Sequence, residues 1–287
     1  MTYRRRPSPL HAARAAVGGA YCLALGAVAL STEHPLVLAA ALAAVVGSAL
    51  LAGLGLELAR LARFAIPFAL VVALINPLVT REGLTVIVRG PDLPWPGPLD
   101  ITLEATAYGG VLGLRALVVF LTFGLYALAV DPDEVLRIFR RISFRSALTA
   151  TIATRMVPVL ARDARRLADA QRCRPGAQVP RLAVVRAVTT GALDRAVDVA
   201  ATLEVRGYGA ARRPPRGRRP WSRHDLVFAA SAAALVAIAV ATPAAGLAPF
   251  APYPRLETAA GAGEWSLAGA ILVCALLPFA DRRGIVR

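Results

Sequence analysis

Six long apolar segments, separated by charged stretches, dominate the pattern of this chain. They cover residues 15–32, 34–56, 64–80, about 103–130 (interrupted at Arg115), 226–247 and 265–280. A helix needs about 17–25 mainly apolar residues to cross the hydrocarbon core of a bilayer. The pattern therefore predicts six membrane-spanning helices, of which the last is the shortest.

The connection between the third and fourth segments has its own pattern. Because proline disfavours helix for the residue before it, Asn76-Pro77 predicts the end of the third span. The β-branched run from Thr85 to Val88 lies between glycines and predicts a short strand or hairpin arm. The proline-rich stretch 91–98 predicts an extended loop outside the membrane.

A long polar segment with helical periodicity follows the fourth apolar segment. Its start at 131–134 (Asp-Pro-Asp-Glu) predicts a helix N-terminus, because proline suits the first helical position and acidic side chains favour the positive end of the helix dipole. Apolar residues opposite arginines make this helix amphipathic, so we expect it to lie flat on the membrane surface. Those apolar residues are Leu136, Phe139 and Ile142.

Two longer helices complete the polar segment. The first begins near Ser146, places Leu148, Ile152, Met156, Leu160 and Leu167 on one face, and contains Pro158, which predicts a bend. The second runs from about Pro180 to Val205, with an apolar face formed by Val185, Val188, Ala192, Ala196, Val199 and Leu203. Each ends near a glycine, a common C-terminal cap. Some 26 helical residues span about 40 Å.

Composition supports a membrane protein. The hydrophobic fraction is 57%, above the roughly 45–50% of soluble domains. We predict an all-α integral membrane protein with about six transmembrane helices and a pair of long cytoplasmic helices. Its predicted parts are a membrane domain with the first four helices (1–130), a cytoplasmic helical region (131–224) and the C-terminal membrane helices (225–287).

The arginines predict the orientation. The chain has no lysine, so all 33 basic residues are arginine. With a cytoplasmic N-terminus, 29 of them lie inside, while Arg81, Arg89 and Arg255 lie outside and Arg115 lies within the membrane. Positive charge concentrates on the cytoplasmic side of membrane proteins. We therefore expect a multi-pass protein of the cell membrane with both termini in the cytoplasm.

The net charge of +15 does not by itself indicate a nucleic-acid partner. A strongly basic chain invites that interpretation, but the arginines occupy the positions that this topology requires. The run from Arg212 to Arg223 predicts contact with anionic lipid head groups, at about 1 kcal/mol per residue near the surface. We expect the lipid bilayer, and no nucleic acid, among the partners.

The sequence contains no arrangement typical of a metal or cofactor site. Cys22 and Cys274 lie in predicted spans, Cys173 is a lone cytoplasmic cysteine, and the histidines are scattered. We therefore expect no metal and no cofactor. Arg115 is the intramembrane charge, and two roles remain open for it: anchoring of the helix bundle or a direct part in transport.

The ends of the two long helices are the most informative feature. Residues 171–176 (Gln-Arg-Cys-Arg-Pro-Gly) and 203–209 (Leu-Glu-Val-Arg-Gly-Tyr-Gly) each carry an arginine before a glycine or Pro-Gly stop. Arg174 and Arg206 are thirty-two residues apart. Paired helices with charged tips are suited to holding a soluble partner.

These residues resemble a known family. The segments 133–136, 155–160, 170–176 and 203–208 are similar to the transmembrane (T) component of energy-coupling factor (ECF) transporters, the cobalt-transporter permease-like family. The family pattern at the two tips is Ala-Arg followed by Ser or Gly. The second tip has Val205 in place of the alanine, and the first has Cys173 and Pro175 around Arg174.

The resemblance implies a coupling scaffold. Two arginine-tipped helices would dock into two ATP-binding-cassette ATPase subunits, and the membrane face would hold a small substrate-binding (S) subunit for vitamin or metal-ion uptake. It implies ATPase coupling by Cys173, Arg174, Pro175, Val205, Arg206 and Gly207, with Glu204, Arg155 and Pro158 in support. ATP hydrolysis would belong to the partner subunits, so the chain is not expected to be an enzyme.

Three alternatives stay open. A conventional permease would bind its substrate itself and carry a single Glu-Ala-Ala loop. An intramembrane enzyme would gather polar residues at one depth within the spans, where this chain offers Arg115. The two arginines could also be ordinary solvated helix ends.

Overall fold

The structure is a computed structural model that describes residues 3, 6–79, 85–88, 92–93, 97–98, 101–139, 144–173, 181–207, 220–250 and 261–281. Ten α-helices occur in these ranges. They are α1 (Pro9–Ala12), α2 (Ala15–Ser31), α3 (Pro35–Leu51), α4 (Gly55–Val79), α5 (Leu103–Ala129), α6 (Pro132–Phe139), α7 (Phe144–Arg172), α8 (Arg181–Val205), α9 (Arg223–Ala244) and α10 (Ala262–Leu276). A 3₁₀ turn, Leu277–Phe279, extends α10.

The helices confirm the predicted all-α membrane fold, with a difference in span length. Helices α4, α5, α9 and α10 with its 3₁₀ turn are long and apolar enough to cross a membrane. Helices α2 and α3 are apolar but have 17 residues each, about 25 Å of helix at 1.5 Å per residue. The six predicted spans therefore correspond to four long helices and two shorter ones in the described part of the chain. The shortening follows from the turn at Thr32–His34, whose extended backbone stops α2 before Pro35 begins α3.

Helix α4 continues beyond the point where the sequence pattern placed its end. The prediction that Asn76-Pro77 ends the third span is wrong, because the helix runs through Pro77 to Val79. A proline releases the carbonyl four residues earlier, here that of Ala73. That carbonyl lies against Gly109 of α5, where a Cβ atom would collide with it, and the Asn76 side-chain amide donates to the Ala105 carbonyl at 3.2 Å. Packing on α5 therefore supports the helix past its proline.

Four short strands occur among the described residues between α4 and α5. Strand β1 (Val86–Val88) pairs antiparallel with β4 (Ile101–Thr102), and β2 (Asp92–Leu93) pairs with β3 (Gly97–Pro98). The predicted strand at Thr85–Val88 is confirmed over three of its four residues. The Thr85 carbonyl accepts from the Leu103 amide at 2.9 Å, which joins the hairpin to the start of α5.

The chain divides into two compact units. The first comprises residues 1–135 and 221–287, and the second comprises residues 136–220. In the first unit α2 packs on α9, α5 and α3, and α4 packs on α5. Tyr21 of α2 is completely buried at this centre, where its ring meets Phe228 edge to face at 5.3 Å and its hydroxyl donates to the Ala275 carbonyl at 2.8 Å.

The second unit contains the packed pair α7 and α8. The predicted apolar face of α7 is half-buried at all five positions, as expected. On α8, Val188, Ala192, Val199 and Leu203 are half-buried, whereas Val185 and Ala196 are exposed and Val184 and Arg195 take their places. The register differs because α8 carries apolar residues on both faces, so periodicity alone cannot identify the face that packs on α7.

Candidate functional site

The tip of α8 is described as far as Gly207 and is exposed. Val205 is 90% exposed, and Arg206 and Gly207 beyond it are exposed as well. The Arg206 amide donates to the Thr202 carbonyl at 3.1 Å and the Gly207 amide to the Glu204 carbonyl at 2.9 Å. Gly207 has a φ of +76°, the left-handed conformation that closes many helices and suits glycine. This cap presents the Arg206 guanidinium at the negative end of the helix dipole.

The tip of α7 is described as far as Cys173. The Cys173 amide donates to the Asp169 carbonyl at 3.2 Å, and Cys173 is exposed. Arg172 pairs with Asp169 at 3.2 Å on the solvent-facing side of the helix. Arg174, Pro175 and Gly176 lie outside the described residues. The described part of each tip, residues 172–173 and 205–207, lies at the end of a long helix of the second unit.

An ion pair joins the two tip-bearing helices. Arg195 Nη1 of α8 lies 3.0 Å from Asp163 Oδ2 of α7, and both side chains are partly buried. Periodicity had assigned neither residue a role, because charged positions on an amphipathic helix normally face water. The thirty-two-residue separation of the pair equals that of Arg174 and Arg206, which is the signal that could have identified it.

The three supporting residues occupy exposed positions on these helices. Arg155 and Pro158 lie near the middle of α7, and Glu204 lies one residue before Val205. The helix continues through Pro158, and Arg162 Nε donates to the Pro158 carbonyl at 3.3 Å. The structure thus distributes them along the unit, with Glu204 at the second tip and Arg155 and Pro158 along α7.

An exposed apolar stripe leads along α8 to its tip. The stripe comprises Leu182, Val185, Leu193, Val197 and Val205, each more than half exposed. At about 100° per residue, Leu182, Leu193 and Val197 share one face of α8, and Val185 and Val205 flank that face on either side. Sequence analysis assigned a single apolar face to the helix, which included Val185, and so missed the other four residues. An exposed apolar surface of this kind is typical of an interaction site.

Arg115 reaches the turn between α2 and α3. Its Nη2 donates to the Thr32 carbonyl at 2.8 Å and lies 3.2 Å from Glu33 Oε1. Because α2 and α3 are short, their turn comes within reach of a side chain well inside α5. The arginine is thereby paired within the bundle, the usual arrangement for a charge at membrane depth.

Metal-ligating side chains do not gather in the part of the chain that the structure describes. No group of three or more His, Cys, Asp or Glu there is placed to hold a metal ion. Cys22 is buried in α2, Cys274 is partly buried in α10, and Cys173 is exposed at the α7 tip.

Comparison with known proteins identifies the family. No curated protein matches the chain. The family model named CbiQ, cobalt transport protein, matches residues 9–216, which is more than half of the chain and includes α7, α8 and both tips. The chain is therefore a membrane protein that belongs to the CbiQ cobalt transport protein family.

Proposed function

We propose that this chain is the transmembrane coupling (T) component of an ATP-driven ECF-type importer. The observation that carries the proposal is the pair of long helices α7 and α8, each ending at an arginine-bearing tip, within a chain of this transport family. In this role the tips bind two ATP-binding-cassette ATPase subunits, and the membrane helices hold a small substrate-binding subunit.

The chemistry of the second tip suits such a partner. Arginine presents a rigid fork of donors that matches carboxylates and carbonyls at an interface. Gly207 ends the helix directly behind Arg206, so a groove on the partner can enclose the guanidinium together with the exposed Val205. The apolar stripe then supplies desolvated contact area next to the charge.

The packing of α7 on α8 suits transmission of movement. Helix α8 has 25 residues, which extend over about 38 Å. The ion pair between Asp163 and Arg195 links α8 to α7. A displacement imposed on one tip by nucleotide-driven closure is therefore passed to the other helix.

We propose divalent cobalt as the first cargo to test, because the matching family is described as cobalt transport. In this proposal the separate S subunit selects the cargo, and the present chain couples its release to ATP hydrolysis. A vitamin remains the alternative cargo, since the resemblance to ECF transporters covers both classes.

The tip variant Arg174→Ala with Arg206→Ala tests the proposal. Loss of one partner of a buried, hydrogen-bonded charge pair costs about 2–5 kcal/mol, so we expect the double variant to insert normally, to lose ATPase subunits on purification and to lose uptake. Arg206→Ala should have the larger effect of the two single changes, because the motif around Arg206 retains its glycine.

Arg212→Ala with Arg213→Ala is the matched control. It removes two arginines a few residues beyond the second tip. We expect both to be solvated, and solvated charges contribute little to binding. Equal loss of ATPase subunits in both double variants would show that general basicity, and not the tips, binds the partner. A purified chain that binds cobalt ion without other subunits would instead favour a permease that binds its own substrate.

A further inference from the structure

Two carboxylates from distant parts of the chain meet the N-terminus of α2. Asp225, in the first turn of α9, accepts from the Arg14 amide at 2.7 Å through Oδ1. Glu134, in the first turn of α6, accepts from the Ala15 amide at 3.3 Å through Oε2. The first amides of a helix have no partner within it, and Arg14, the residue that precedes α2, makes no side-chain cap. Distant side chains therefore cap this helix.

Arg14, Glu134 and Asp225 form what we call the junction, and Asp225 is at its centre. It is completely buried, and its Oδ2 lies 3.3 Å from Arg14 Nε. The same oxygen accepts from the Ser222 amide at 2.9 Å, while the Ser222 hydroxyl accepts from the Asp225 amide in a reciprocal capping box. The Arg14 guanidinium also lies 5.2 Å from the centre of the Trp221 ring, within the range of a cation–π contact.

The positions of these residues along the chain give the junction its significance. Residues 136–220 form the second compact unit. The chain leaves the first unit just after Glu134 and returns to it at Trp221, beside Ser222 and Asp225. Both connections to the helices that carry the tips are thus attached to one helix end of the first unit.

Helix α2 is the central helix of that unit. It packs on α9, α5 and α3, and its Tyr21 hydroxyl contacts the Ser48 hydroxyl of α3 at 2.7 Å and the Ala275 carbonyl of α10 at 2.8 Å. A displacement of the N-terminus of α2 is therefore transferred to the rest of the bundle, because close-packed interiors transmit strain.

We propose that the N-terminus of α2 is the attachment point through which movement of residues 136–220 reaches the membrane helices, with Arg14, Glu134 and Asp225 as positioning residues. This inference rests on the proposed coupling function. It assigns these three residues no role in binding ATPase subunits or cargo, and so predicts a phenotype different from that of the tip variants.

The test compares uptake per ATP hydrolysed in the complex purified with its partner subunits and placed in vesicles, with cobalt ion as the cargo. Asp225→Asn and Glu134→Gln should retain bound ATPase subunits and ATP hydrolysis. Transport per ATP should fall by about tenfold for Asp225→Asn, the factor that corresponds to about 1.4 kcal/mol, and by less for Glu134→Gln, whose contact is longer.

Glu57→Gln is the matched control. Glu57 pairs with Arg6 in the first unit. Glu57→Gln makes the same change of carboxylate to amide at a residue that does not cap α2. Transport per ATP should match the parent protein. An equal fall in Glu57→Gln, or an unchanged ratio in both junction variants, would overturn the proposal.

A second pair of measurements separates attachment from mere loss of stability. Hydrogen exchange of the chain alone should show faster exchange of the first amides of α2 in Asp225→Asn and Glu134→Gln, and unchanged exchange there contradicts the proposal.

Gly113→Ala, which strains a helix contact elsewhere in the unit, should lower thermal stability without lowering transport per ATP. If the parent chain itself fails to retain ATPase subunits, the coupling function fails, while the exchange measurement still tests the attachment.

Discussion

At the residue scale, small side chains determine how closely α4 and α5 approach. A Cβ atom at Gly113 would lie 2.7 Å from the Ala69 carbonyl oxygen and 2.9 Å from the Ala73 Cβ atom, both on α4. Gly110, three residues earlier on α5, has nothing within 4 Å of such an atom. Close contact between helices in membranes depends on small residues at the interface. The two glycines therefore have different roles although they belong to one cluster in the sequence.

We expect Gly113→Ala to lower the stability of the folded chain by about 1–3 kcal/mol, the usual effect of overpacking. Gly110→Ala should have little effect, because its methyl group enters open space. Thermal unfolding of the two variants in the same detergent measures the difference. Equal stability of both variants would mean that α4 and α5 do not approach each other this closely.

Arg115 provides a second prediction at this scale. Arg115→Leu removes the donor to the Thr32 carbonyl and leaves Glu33 without its ion pair. We expect lower thermal stability or weaker retention of the small membrane subunit, with ATPase binding unchanged in a co-purification assay. Glu33→Gln should have a smaller effect, because Arg115 then keeps its hydrogen bond to the Thr32 carbonyl. Loss of ATPase subunits from a well-folded Arg115→Leu chain would contradict an anchoring role.

At the element scale, α7 and α8 pack on each other and share an ion pair. Asp163 and Arg195 are partly buried at their contact, whereas Arg172 and Asp169 form an exposed pair within α7 alone. Exposed pairs contribute about 0–1 kcal/mol. We therefore expect the ion pair between the helices to restrain the separation of the tips, and the pair within α7 to have no such effect.

Asp163→Asn should broaden the distribution of distances between the two tips. Spin labels at the native Cys173 and at Val205→Cys, with Cys22 and Cys274 replaced by serine, report that distance. Asp163→Arg with Arg195→Asp should restore a narrow distribution, because the exchanged charges attract again. Asp169→Asn serves as the control and should leave the distribution unchanged. If the distribution in Asp163→Asn is as narrow as in the parent protein, apolar packing and not the ion pair restrains the tip separation.

At the scale of the whole molecule, the arginine distribution and the long apolar helices support a proposal for the orientation of the chain in the membrane. Four of the described helices are long and apolar enough to cross it, and the short helices α2 and α3 share a core with them. We propose that the segment from Asp131 to Arg223 and both termini face the cytoplasm, with the strands between α4 and α5 outside. The positive-inside rule supports this orientation.

The native Cys173 offers a direct test of the orientation. Its side chain is exposed, whereas Cys22 is buried and Cys274 is partly buried. An impermeant thiol reagent should label Cys173 in permeabilised cells and not in intact ones. Thr85→Cys, at an exposed position beside the outer strand, should be labelled in intact cells when Cys173 is replaced by serine. Labelling of Cys173 from outside would reverse the proposed topology.

Local patterns in the sequence predicted the features that depend on neighbouring residues. The helical class, the strand at Val86–Val88, the bounds of α8 and the packed face of α7 all follow from hydrophobic periodicity and cap residues within one element. The family resemblance likewise rested on short motifs. These features are predictable because helix propensity, capping and side-chain period act over a few residues.

Tertiary structure decided the features that depend on residues far apart in the chain. The continuation of α4 through Pro77 depends on packing against α5, and the face of α8 that packs on α7 depends on the contact itself. Arg115 meets Thr32 across 83 residues, and Asp225 meets the Arg14 amide across 211. No periodicity links such positions, because their proximity arises only when whole helices pack. The sequence alone therefore determined that the long helices form, and their packing decided which charges meet at the start of α2.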